Sequence, residues 1–226
     1  MNALIYAPSG GGKTVCSTLV STGKRGKNLL LCSDNSHIVL NNFDRPNLEI
    51  QVVEHWCEKG RDKKPYPTYF HRQFEDAVNS NKYDNIIVDN ISDIFDMAIL
   101  ECKDIGVAAD VRQIYQLVYE ALKRLARKAA QVNCNVLFTA WTDLQQIELP
   151  NGELAMRTQP KLPNKILDNF LGLTQIVGYI HTTERDGKRV WYYVLEGTPT
   201  RYGKDQAFTR KTCLPEDIFT GGKKNA

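Results

Sequence analysis

Residues 7–14 read Ala-Pro-Ser-Gly-Gly-Gly-Lys-Thr and follow directly on the apolar run Ala3-Leu4-Ile5-Tyr6. A strand, a glycine-rich turn and the start of a helix therefore occur in the order a phosphate-binding loop requires. Backbone N–H groups of such a turn point inward and hold phosphate oxygens. Glycine is needed because a Cβ blocks the positive φ angles and the close backbone approach. Against the pattern G-x-x-x-x-G-K-[ST], Gly12, Lys13 and Thr14 match, and Ala7 takes the place of the first glycine. The loop Ser9, Gly10, Gly11, Gly12, Lys13, Thr14 and Val15 is expected to bind the phosphates of ATP. Lys13 would reach the β and γ phosphates, and Thr14 would ligate Mg2+.

A nucleotide-hydrolysing site needs a second carboxylate at the end of a neighbouring strand. Asn85-Ile86-Ile87-Val88-Asp89 supplies one, so Asp89 is expected to share the Mg2+ with Thr14. Hydrolysis also needs a group that polarises water. Asp34 follows a second apolar run (LLLCSD) and is the first candidate; Glu54, after a third run, is the alternative. Thr139 and Thr142, on or after a fifth run, are candidates for sensing the γ-phosphate.

The chain has 226 residues, 42% of them hydrophobic, which suits one globular domain with its own core. A net charge of +3 is too small to argue for a nucleic-acid partner by itself. The six cysteines form no C-x-x-C pair, and the four histidines show no ligand spacing, which argues for reduced thiols, a cytoplasmic setting and no zinc. His55-Trp56-Cys57 is read as scattered residues, not as a metal site. The amino terminus lacks the basic region of a signal peptide, and no run of about 18 apolar residues suggests a membrane span.

Strand and helix patterns alternate along the chain. Strands are expected at 3–7, 28–32, 48–53, 85–88 and 135–140, and helices at 13–22, 72–80 and 111–132. Unbroken apolar strands separated by helices imply a parallel sheet covered on both faces. The last helix has Asp110 as its cap and a stripe of Val111, Ile114, Val118, Leu122, Leu125 and Ala129. Its Lys123, Arg124, Arg127 and Lys128 suit the helix dipole and solvent better than a DNA contact. Two hairpins follow, turning at Pro150-Asn151-Gly152 and at Asp186-Gly187. Residues 1–220 are expected to form a single domain, and 221–226 a flexible basic tail.

The order APSGGGKT, NIIVDNIS, NVLFTAWTD and TPTRYGKDQ, with a long helical span between the second and third, resembles the RecA-like P-loop ATPases. It resembles in particular the small phage-encoded ones linked to recombination and single-strand annealing. The resemblance covers nearly the whole chain and implies an α/β fold with a mostly parallel central sheet flanked by helices and C-terminal β-hairpins. It also implies hydrolysis of ATP with Mg2+, single-stranded DNA as partner, and a homo-oligomeric ring or filament that works with a phage or host replication or recombination protein. Such oligomers insert a Lys or Arg into the neighbour's site; by order along the chain this would be Lys204, with Arg201 as the substitute. The segment 144–173 would face DNA, with Arg157, Lys161 and Lys165 meeting phosphates. Relatives of this type often carry Glu where Asp34 and Asn35 stand, and His where Trp141 stands. The departure at Asp34 keeps open a nucleotide-switched helicase loader with little catalysis. A small-molecule or nucleotide kinase, a third use of the loop, lacks its Arg-rich lid here.

Overall fold

The computed structural model describes residues 1–57 and 69–221. The chain begins with β1 (Asn2–Ala7), the glycine loop and α1 (Lys13–Ser17), followed by β2 (Asn28–Cys32), a 3-10 helix (Asn35–Asn42) and β3 (Leu48–Val52). Next come α2 (Tyr69–Asn79), β4 (Asn85–Asp89), α3 (Ile91–Asp104) and α4 (Val111–Ala129). The remainder comprises β5 (Asn135–Glu148), β6 (Leu154–Pro160), α5 (Asn164–Leu173), β7 (Ile176–Arg185), β8 (Lys188–Val194), β9 (Lys204–Asp205) and β10 (Thr212–Cys213).

One sheet runs β3-β2-β4-β5-β1-β7-β8-β10, with β6 paired to β5 and β9 to β7. Every pairing from β3 through β1 to β7 is parallel, and the later strands join antiparallel. The expected α/β class, mostly parallel with C-terminal hairpins, is what the structure shows. The apolar runs are unbroken because both faces are covered. Leu4, Tyr6, Leu29, Leu31, Ile86, Val88, Val136 and Phe138 face α2 to α5. The alternate residues Ala3, Ile5, Ala7, Leu30, Cys32, Ile87 and Leu137 face α1 and the carboxyl-terminal segment. α4 buries Ile114, Val118, Leu122, Leu125 and Ala129, so the expected stripe holds; Val111 is exposed. Each such leucine contributes about 1.5–3 kcal/mol.

Several elements depart from the sequence reading; α2, expected from residue 72, starts at Tyr69. α1 ends at Ser17 instead of residue 22, because the Ser17 and Thr18 hydroxyls donate back to the Thr14 and Val15 carbonyls and compete with helix propagation. α4 ends at Ala129, three residues before the expected Val132. β5 runs without a break to Glu148, so the fifth strand and the first arm of the hairpin are one element. α3 is absent from the sequence reading altogether. Of the expected tail, residues 222–226 lie outside the described residues.

Candidate functional site

The glycine loop leaves β1 at Ala7, where β1 lies between β5 and β7. Gly10 and Gly12 adopt φ of 72° and 85°, the left-handed region that only glycine enters without strain. Gly12 has a second reason: a Cβ there would stand 2.7 Å from Nε1 of Trp191, a β8 residue packed on the loop. Lys13 is buried, and its Nζ donates to the Ala7 and Pro8 carbonyls at 3.2 and 2.9 Å. Burial holds its pKa below the ordinary lysine value, against the pull of Asp89 and Asp34. The ammonium is thus folded back across the loop it would otherwise close over a phosphate.

Parallel register brings the other residues to the same end of the sheet. Asp89 closes β4, beside Thr139 of β5 and Cys32 of β2, and is almost fully buried. Thr14 Oγ1 donates to Asp89 Oδ2 at 2.5 Å and lies 2.9 Å from Ser36 Oγ. Thr139 Oγ1 donates to the other carboxylate oxygen, and Ser36 Oγ reaches Oδ2 at 3.4 Å. Among the described residues Asp89 makes no ion pair. Burial raises its pKa, opposed by the Thr139 and Thr14 hydroxyls. A buried carboxylate held only by hydroxyls, next to a threonine on a phosphate loop, is a hard-oxygen donor set that fits Mg2+.

The cleft over these groups has a volume of about 280 Å3. Ser9, Gly10, Gly12, Lys13, Thr14, Val15, Asp34 and Asp89 line it, as does Trp141, so most of the expected residues meet. Gly11 belongs to the loop wall; a Cβ there would press on Ala7 Cβ and the Pro8 carbonyl, both at 2.9 Å. Asp34 Oδ1 accepts the Ser36 N–H at 2.8 Å and caps the 3-10 helix. Trp141 donates its backbone N–H to Ser92 Oγ at 3.1 Å, and Lys161 Nζ lies 4.9 Å from the centre of its ring.

The match to the AAA domain family model spans residues 1–207. The chain belongs to the AAA domain family. This AAA-domain protein accordingly has the domain of a P-loop ATPase. A KaiC-like protein from the hyperthermophilic archaeon Pyrococcus horikoshii OT3 is similar in structure, with 13% identity and a TM-score of 0.48, over 90% of this chain and 82% of that one. Among curated proteins none matches the sequence.

Several expected residues of the AAA-domain protein lie elsewhere. Glu54 is exposed after β3, and Thr142 sits at the base of the β5–β6 ribbon; neither lines the cleft. Lys204 pairs with Val177, level with Leu4 of β1, and its Nζ donates to the Leu171 carbonyl at the end of α5. It does not enter the site of its own chain. Arg201 stands over the Tyr179 ring at 5.9 Å. Arg157 donates to the Pro199 carbonyl and the Tyr202 hydroxyl, both at 3.0 Å. Lys165 lines a groove with Arg112, Lys123, Tyr115 and Tyr119.

One cleft residue, Ser36, and one carboxylate beside Asp34, Asp93, escape the sequence reading. Ser36 is a lone serine in a polar stretch, brought in by the 3-10 helix. Asp93 lies in the first turn of α3; burial raises its carboxyl pKa, the neighbouring Ser33 hydroxyl opposes this, and Asp34 adds to it. The pattern Asn90-Ile91-Ser92-Asp93, a helix cap with an acidic first turn, is the signal that marks Asp93.

Proposed function

We propose that this AAA-domain protein is an ATPase that acts on single-stranded DNA in phage recombination, annealing or replication, with its active site completed between subunits. The observation that carries the nucleotide half is the Thr14–Asp89–Thr139 cluster beneath the loop. On binding, the loop N–H groups would take the phosphate oxygens, and Lys13 would exchange the Ala7 and Pro8 carbonyls for them. Thr14 and Asp89 would hold the Mg2+, which neutralises charge on the phosphates. Asp34 lines the cleft and is the candidate to orient water, with Asp93 behind it. A cation from a neighbouring copy, Lys204 or Arg201, would then stabilise charge in the transition state.

Support for a DNA partner comes from the groove where Arg112 and Lys165 flank Tyr115 and Tyr119, cations beside rings of the kind on which bases stack; Lys123 of the same groove is paired with Glu120 at 3.2 Å. Turnover measured with and without single-stranded DNA tests the reading. Stimulation by DNA that disappears in Lys13→Ala is expected; turnover indifferent to DNA, with no DNA binding, sinks it. Light scattering with an ATP analogue reports whether assembly follows nucleotide, DNA or both.

One observation favours a second reading, a nucleotide-switched loader with little catalysis. An Asp34 oxygen is already engaged as a helix cap, so the carboxylate is less free to take a proton from water. Turnover at background level together with tight ATP binding would select it.

A further inference from the structure

Away from the cleft two sulphur atoms meet. Cys57 lies five residues beyond β3 and Cys102 near the carboxyl end of α3, and their Sγ atoms are 3.9 Å apart. The approach is held by the backbone. Glu101, next to Cys102, accepts the N–H groups of Trp56 and Cys57 at 3.0 and 2.8 Å, and its other oxygen lies 3.3 Å from His55 Nδ1. The fully buried indole of Trp56, stacked 5.9 Å from Phe70, anchors the same segment. Cys102 is fully buried and Cys57 half-buried, so one member of the pair is open to a small reagent and the other is not.

We infer that Cys57 and Cys102 are an oxidisable dithiol, a site at which a two-electron oxidant such as a peroxide forms a reversible disulfide between the segment after β3 and α3. A disulfide needs sulphurs at about 2.05 Å, so the pair must close by roughly 1.9 Å, within reach of rotation about both χ1 angles and a small backbone shift. A metal is the competing use of such residues. Yet among the described residues no group of three or more His, Cys, Asp or Glu converges on a metal position, although His55, Cys57, Glu101 and Cys102 are neighbours.

With hydrogen peroxide the chemistry balances. Cys57 gives up its proton as its sulphur attacks one peroxide oxygen, the O–O bond breaks, and the departing hydroxide takes that proton to leave as water. The Cys102 thiolate then attacks the Cys57 sulphur, the S–O bond breaks, and a second water leaves. The two thiols lose two electrons, and one peroxide becomes two waters.

The test uses the full chain, reduced and then treated with hydrogen peroxide. Titratable thiols should fall from six to four, and peptide mapping should join Cys57 to Cys102. Closing so long a loop should raise the thermal midpoint by roughly 4–16 °C, and dithiothreitol should reverse both changes. Cys57→Ser should fold normally at its half-exposed position and show neither the link nor the rise; Cys102→Ala should do the same. A linked peptide joining other cysteines, or six thiols surviving oxidation, overturns the inference. So does stoichiometric zinc in the purified protein whose removal by a chelator exposes the pair.

Discussion

Replacing Asp89 with asparagine separates what the buried carboxylate does for folding from what it does for the site. Its folded pKa is raised by burial, so its contribution to stability is full at acid pH and is lost as pH rises through the folded pKa. At neutral pH the charged form therefore weighs against the metal-free fold. Asp89→Asn is expected to raise the melting temperature at pH 7 by a few degrees, about 2–4 °C per kcal/mol recovered. The same change is expected to lower Mg2+-dependent turnover about 100-fold or more. A lower melting temperature would contradict the electrostatic account. Thr139→Val removes one hydroxyl donor from that carboxylate, and Mg2+ affinity, read by titration, should fall about 10-fold. Lys13, Thr14 and Asp89 were legible from sequence because the chemistry fixes their types and their spacing to strands. Ser36 was not, because a single hydroxyl delivered by a 3-10 helix leaves no repeating pattern.

Among the elements, α4 was the easiest to read, since its stripe and its Asp110 cap agree. The Asp110 side chain accepts the Arg112 N–H at 2.8 Å. Asp110→Ala should cost about 1 kcal/mol, measured by urea unfolding, with ATP affinity unchanged. α3 carries an equally regular stripe in Ile91, Ile94, Phe95, Ala98, Ile99 and Cys102, all buried, together with the Asn90 cap. No Gly or Pro separates it from the β4 run, so only the Asn90 cap marks where strand gives way to helix. The length of β5 was hidden for a different reason. Its sheet half is apolar and its ribbon half alternates, and only the pairing with β6 shows the two to be one strand.

For the molecule as a whole, His71 makes stability depend on pH. It is buried, its Nε2 lies 3.1 Å from the Ala121 carbonyl, and burial lowers its pKa from 6.5 to about 4. The unfolded chain therefore takes up a proton below pH 6.5 that the folded chain refuses. Stability is full above 6.5 and declines by about 1.4 kcal/mol per pH unit until pH approaches 4. The stability gap between wild type and His71→Gln, measured by urea unfolding, should shrink at that rate; a gap independent of pH would refute it. Fold class was legible because both faces of the sheet are sealed by alternate residues of the same apolar runs. Where Lys204 and Arg201 rest was not, because a two-residue strand and the turn before it take their places from tertiary contacts alone.

β5 binds Asp89 through Thr139 and then leaves the sheet, ending nine residues later at Glu148 in a ribbon that exposes Leu144, Leu154 and Met156. At ~3.3 Å per residue the strand projects about 30 Å beyond that hydroxyl. One end of the strand is held to the buried Asp89 carboxylate, and the other stands in solvent. A lengthwise slip of the strand at one end is a slip at the other, so tension on the ribbon is felt as a pull on Asp89.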